Sequence, residues 1–299
     1  MKAAVLHINT ASATATSPTM RIARFVAEEL RIPLIHDKHS ALEHDKKFDV
    51  LFCKYGMLKF SDQREEALRI HQRAGHVINL ENDYTFKPDP RFKPVGKQTT
   101  GCWSTVTQGL NVYVNWNVLT WMQPDAWKKP LPLLEPEEEG VLYYGAHRAG
   151  REPYFRRYFK DAPYDVTIST YRGRAAFTET CGEDVRIIGA FRTPAQATRF
   201  PLTVYMEDQA SHDLYCSPAN RFYECLQLGI AQAIDERAAA TLKKAGLKDV
   251  DKFVVSTQNE VGKMLVNFDK VRKEQRRLWH CDFTAELRAQ LQSAYRSLT

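Results

Sequence analysis

The sequence predicts an α/β protein made of two halves, each built on an open parallel sheet. Short apolar runs alternate with stretches of helical spacing on both sides of the chain's middle. A segment at residues 123–139, holding PDAWKKPLPLLEPEEE, combines four prolines with an acidic run and reads as the linker between the halves. At 299 residues, with 43% hydrophobic and 26% charged residues, the chain has ordinary globular composition and room for two cores.

In chain order, residues 2–8 form an apolar first strand, followed by the small-residue loop NTASATATSPT. Pro18 and Thr19 open a helix whose Ile22, Val26 and Leu30 share one face. IPLIH and FDVLFCK are the next strands, Ser61 caps SDQREEALRIHQRAG, and HVINLEN is a further strand. Residues 82–103 are rich in proline, lysine and glycine and read as a long loop, with VYVNW as one more strand candidate. After the linker, GVLYYG, DVTIST, DVRIIGA, LTVYMED and GIAQAID read as strands. REPYFRRYFKDA, NRFYECLQLG and ERAAATLKKAG read as helices, and two long helices occupy residues 258–279 and 284–297. The expected division is an N-terminal half at 1–130 and a C-terminal half with a helical tail at 131–299. Both halves are Rossmann-like: sheets of this kind bind ligands beyond the carboxyl ends of their strands, and two facing each other enclose a cleft.

Several chemistries are excluded. No apolar run is long enough to span a bilayer, and the opening is too short and polar for a secretory signal, so a soluble cytoplasmic protein is expected. The six cysteines form no CxxC pair and the nine histidines no HExxH; no Asp-x-Asp stands out as a metal site, so no metal residue is assigned and divalent-ion dependence is open. GxGxxG, the P-loop and GxSxG are absent. A formal charge of +6 tolerates a polyanionic partner without requiring one.

The most informative stretch is SPANRFYECLQLGIAQAID, residues 217–235. Its Ser217, Pro218, Asn220, Arg221, Phe222, Glu224 and Gly229 make it similar to the donor-binding half of GT-B glycosyltransferases. A second match is YYGAHRAGR, residues 143–151, and the resemblance extends over about 140–246. It implies a nucleotide-sugar donor, a UDP-sugar first, with no tightly bound cofactor. Glu224 would accept hydrogen bonds from the ribose hydroxyls, and amides around Ala219 to Arg221 would face the diphosphate. Ser217 and Asn220 belong to the same donor set. Helix N-termini favour anions on physical grounds alone, and Arg221 adds charge. Gly145 would permit close backbone approach, and Arg148, with His147 as a weaker candidate, would stabilise the leaving diphosphate. The family's second glutamate would be served by Glu207 or Asp208. As alternatives, RFYECLQL is ordinary core packing with Glu224 solvated, and Arg148 is a surface charge at a helix start.

An inverting transferase needs a base for the acceptor hydroxyl. Asp83 and Glu81, at the carboxyl end of HVINLENDY, are the candidates; Asp83 is equally an Asx-type turn former. Lys87, Arg91, Lys93 and Lys97, followed by Trp103, Tyr113, Trp116, Trp121 and Trp127, suit a phosphate backbone and a stacked base. In size and organisation the chain resembles bacteriophage DNA-base glycosyltransferases, which implies transfer to a hydroxymethylated pyrimidine in DNA. A glycan or small-molecule acceptor, a nucleotide-sugar epimerase and a non-enzymatic nucleic-acid-binding protein are the other readings.

Overall fold

The computed structural model describes residues 2–6, 18–35, 48–53, 74–80, 119, 131–208, 218–280 and 283–296. The chain divides into two compact units, Met1–Pro124 with Thr284–Thr299, and Asp125–Phe283.

In the first unit, β1 (Ala3–Leu6), β2 (Leu34–Ile35), β3 (Phe48–Cys53) and β4 (Ala74–Asn79) form a parallel sheet in the order β2-β1-β3-β4. Every residue of β1 is buried, as a strand flanked on both sides by neighbours requires. Val5 sits opposite Leu34, and Ala4 opposite Leu51. Helix α1 (Pro18–Leu30) buries Ile22 and Val26 of the apolar face read from the sequence, together with Ala23 and Ala27, while Leu30 is half-buried.

The second unit contains β5 (Val141–Tyr144), a 3-10 turn (Ala149–Arg151), α2 (Glu152–Phe159), β6 (Val166–Thr170), α3 (Arg174–Cys181) and β7 (Arg186–Gly189). The chain continues through α4 (Pro194–Ala197), β8 (Leu202–Tyr205), α5 (Asn220–Leu228), β9 (Ala231–Asp235), α6 (Glu236–Lys244) and β10 (Val254–Val255), and then α7 (Gln258–Val266) and α8 (Phe268–Trp279). All strand pairs are parallel, and the order is β10-β9-β8-β5-β6-β7. From β5 the chain steps outward to β6 and β7, then crosses back to β8 and proceeds the other way. That reversal is the doubly wound order, and β5 and β8 flank its switch point. Tyr143, Tyr154, Phe155, Tyr158, Phe159 and Phe177 pack a mostly aromatic core on one face of this sheet.

The last helix, α9 (Phe283–Arg296), groups with the first unit although the sequence reading placed the whole tail in the second half. Arg288 pairs with Glu29 of α1, and Tyr295 lies 6.0 Å from the Phe52 ring of β3. The helix expected over 258–279 is two helices. The side chain of Asn267 donates to the Lys263 carbonyl at 2.8 Å, bonding back to the preceding turn where the chain bends.

Candidate functional site

The residues singled out in the second half converge on the carboxyl ends of β5 and β8. Gly145 follows β5 directly, Glu207 and Asp208 follow β8, and α5 then carries Arg221 and Glu224 back over them. The switch point of a doubly wound sheet is where such residues can face one ligand.

Gly145 has φ +140°, and a Cβ there would lie 3.1 Å from Arg221 Nη1. The glycine admits this guanidinium, which donates to the Tyr144 carbonyl at 2.9 Å and lies 5.0 Å from the Tyr143 ring centroid. Arg221 is held further by Glu207, whose Oε1 is 3.9 Å from Nη2. Burial alone would lower the Arg221 pKa, but Tyr143 and Glu207 outweigh it, so the pKa stands above the usual arginine value and the charge is fixed.

Arg151 is the second buried guanidinium. Its Nη1 donates to the Tyr143 hydroxyl at 3.1 Å and its Nη2 to Glu207 Oε2 at 3.1 Å, while Nε lies 2.7 Å from Asp208 Oδ1. Burial opposes ionisation of the Tyr143 hydroxyl, yet Arg221 and Arg151 hold it below the usual tyrosine range. Asp208 bridges two arginines, because its Oδ2 also accepts from Arg148 Nη1 at 2.9 Å. The Arg148 side chain is 57% exposed, so this guanidinium is anchored from behind and open to solvent in front.

Glu224 is 2% exposed, which contradicts the reading of a solvated Glu224. Its Oε2 accepts from the Tyr144 hydroxyl at 3.0 Å, which orients the carboxylate toward β5. Burial, Cys225 and Glu224 raise the Tyr144 pKa well above normal, so this hydroxyl stays a donor. Helix α5 begins after Ala219, whose φ of −68° and ψ of 162° are extended, and no side chain caps it. The Ala219 amide donates to the Tyr205 hydroxyl at 2.9 Å, so this amide already has a partner within the protein. His147 is turned inward: Nε2 lies 3.2 Å from Thr180 Oγ1, and the ring packs edge-on against Phe177 at 4.9 Å. Its place beside Arg148 in the sequence did not reveal this.

The structure thus brings together Gly145, Arg148, Arg221 and Glu224, with Asn220 at the start of α5 and His147 facing the aromatic core. Ser217, Asp83, Glu81, Lys87, Arg91, Lys93, Lys97 and Trp103 lie outside the described residues. Sequence reasoning assigned no role to Arg151 or Tyr144. Arg151 stood in the quoted string YYGAHRAGR, but only the fold shows that it is buried. Among the described residues, no three of His, Cys, Asp and Glu come together to hold a metal ion, and Glu207 and Asp208 are engaged by arginines.

No family model matches the chain, and no curated protein is similar to it in sequence. Solved structures are similar in fold. T4 phage β-glucosyltransferase in complex with UDP-glucose superposes with TM-score 0.72 at 14% identity, covering 100% of this chain and 99% of that one. A structure of the T4 phage enzyme with UDP and Mn2+ gives TM-score 0.70 at 14% identity over the same shares. AviGT4, a glycosyltransferase of avilamycin A biosynthesis, gives 0.54 at 14% identity, covering 99% of this chain and 97% of the other. The chain has the GT-B fold, the two parallel-sheet architecture of these glycosyltransferases.

Proposed function

We propose that this protein is a glycosyltransferase that moves a sugar from a nucleotide donor, a UDP-sugar first, to an acceptor hydroxyl. The observation that carries this reading is the guanidinium cluster of Arg148, Arg151 and Arg221 at the switch point of a GT-B sheet. Arg148, anchored by Asp208 and open in front, meets the donor diphosphate and stabilises the charge that develops on it as the glycosidic bond breaks. Glu224, oriented by Tyr144, accepts the ribose hydroxyls. Asp83 or Glu81 takes the proton of the attacking hydroxyl in an inverting reaction.

The acceptor proposed first is a hydroxymethylated pyrimidine in DNA. The basic and aromatic run from Lys87 to Trp127 supports it. So does the fold shared with T4 phage β-glucosyltransferase, described as a DNA-modifying enzyme. The likeness to AviGT4 supports a second reading, a small-molecule or glycan acceptor. The test is transfer of label from UDP-glucose to duplex DNA with and without hydroxymethylcytosine. The expected result is incorporation into the hydroxymethylated duplex alone. Hydrolysis or transfer to small acceptors without DNA labelling would favour the second reading, and no turnover of any nucleotide sugar would refute the enzyme assignment.

A further inference from the structure

The carboxyl ends of β6 and β7, beside the site just described, carry a cationic surface that the donor reading does not use. After β6 the chain reads Tyr171-Arg172-Gly173-Arg174, and all four residues are exposed. After β7, Arg192 is exposed as well. Tyr171 is 68% exposed, a large aromatic presented to water. The Arg172 guanidinium lies over its ring, 5.2 Å from the centroid.

Several other arginines of this unit have carboxylate partners. Arg148 is paired with Asp208, and Arg186 and Arg199 both with Glu138. Among the described residues no carboxylate pairs with Arg172, Arg174 or Arg192. Arg172 gains a cation–π contact with Tyr171, but among the described residues none of the three guanidiniums has a carboxylate to offset its charge. Their arrangement matches a polyanion that also presents flat rings.

The surface is built rather than loose. Thr170 Oγ1 donates to the Arg172 carbonyl at 2.6 Å and accepts from its amide at 3.2 Å, which folds the loop back on the strand. Gly173 has φ +82°, and a Cβ there would lie 2.8 Å from the Cβ of His147, so this loop packs on the loop that carries Arg148. The Arg192 and Thr193 amides donate to Gln196 Oε1 at 2.7 and 3.2 Å. Tyr171 and Arg192 line one cavity of about 590 Å³, which Arg186, Arg199 and their partner Glu138 line as well.

We propose that Tyr171, Arg172, Arg174 and Arg192 form a nucleic-acid contact surface on the second unit, with the arginines on backbone phosphates and Tyr171 stacked on an unpaired base. The inference rests on the reading of DNA as acceptor, and it adds a surface far in sequence from the basic loop at 87–97. The same guanidiniums could instead meet the diphosphate of the donor, so the test must separate the two sources of phosphate.

Fluorescence anisotropy would measure binding of a hydroxymethylated duplex and of a single strand across a salt series. Calorimetry would measure UDP binding by the same proteins. The triple variant Arg172→Gln, Arg174→Gln, Arg192→Gln should bind duplex about tenfold or more weakly, with a salt slope shallower by about 2 to 3, roughly one per phosphate contact. Its UDP affinity and melting temperature should match the wild type. Tyr171→Ala should weaken the single strand about fivefold or more and the duplex less. An unchanged salt slope, with the wild type binding DNA, would overturn the surface and leave the DNA acceptor standing. Loss of UDP affinity in parallel would assign the arginines to the donor instead. A wild type that binds no DNA at low salt would remove the acceptor reading, and this surface with it. Should the triple variant melt early, the three single substitutions, each lowering the slope by about one, carry the same test.

Discussion

Arg151 shows how one side chain ties the site to stability. It contacts Tyr143, Glu207 and Asp208 at once, and all four groups are largely withdrawn from water. Removing it leaves Asp208 to Arg148 and Glu207 to the more distant Arg221, and takes a donor from the Tyr143 hydroxyl, so Arg151→Ala should lower unfolding free energy by about 1.5–3 kcal/mol in a urea titration. Arg151→Lys should not restore it, because a single ammonium cannot reproduce three divergent donors. A loss under about 1 kcal/mol would mean that water or a rearranged Arg221 compensates. None of this is legible in YYGAHRAGR, where Arg148 and Arg151 look alike. What separates them is depth beneath β8, a property of tertiary packing. The sequence singled out Gly145, Arg221 and Glu224 from the pattern of their neighbours in the chain, whereas the contacts of Arg221 with Gly145 and of Tyr144 with Glu224 join segments far apart in the chain and show only in the fold.

At the scale of elements, β5 to β9 were readable because parallel strands covered on both faces are short apolar runs with sharp polar borders, whereas β10, two residues long, was missed. Helices α3 and α4 were missed for physical reasons. Helix α3 starts after Gly173 in a left-handed conformation with no capping side chain, and α4 is four residues long. At eight and four residues they are too short for apolar periodicity to repeat over several turns. The C-terminal end of α5 is the opposite case. Gly229 ends it at φ +73°, with the Ile230 amide donating to the Cys225 carbonyl at 3.0 Å. A Cβ at Gly229 would lie 2.6 Å from Leu133 Cδ2 and 2.7 Å from Arg276 Nη2. Gly229→Ala should therefore cost about 1–3 kcal/mol in urea unfolding. Gly189→Ala, with nothing within 4 Å of the added Cβ, should change stability by less than about 0.5 kcal/mol. Equal effects at the two glycines would contradict the packing described around α5.

For the whole molecule, alkaline pH is the informative perturbation. Burial pushes the Cys181 thiol up to about 11 and the Cys225 thiol up to about 12, the latter helped by Glu224. Burial likewise raises Tyr144, Tyr158 and Tyr205. These acids hold their protons more tightly folded than unfolded. Their contribution is complete below the unfolded values, near 8.5 for thiols and 10 for phenols, and is lost as pH rises through the folded ones. Tyr143 acts in the other direction, since its lowered pKa adds stability as pH rises. The melting temperature should be level between about pH 7 and 8.5 and fall steadily from about pH 9 to 11. A level curve to pH 11 would show that these groups are not buried as described. The division into two sheet-bearing units was legible from alternation and the proline-rich break. The return of α9 to the first unit was not, because only its contacts with α1 and β3 record it.

The central claim is that the switch point between β5 and β8 holds the diphosphate of a nucleotide donor. Calorimetric titration of UDP into the wild-type protein and Arg148→Ala tests it most directly. Saturable binding by the wild type, weakened about tenfold to a hundredfold in Arg148→Ala with the melting temperature unchanged, is the predicted result for a charge-assisted contact to phosphate. Failure of the wild type to bind at millimolar UDP, or equal affinity in the two proteins, would contradict it.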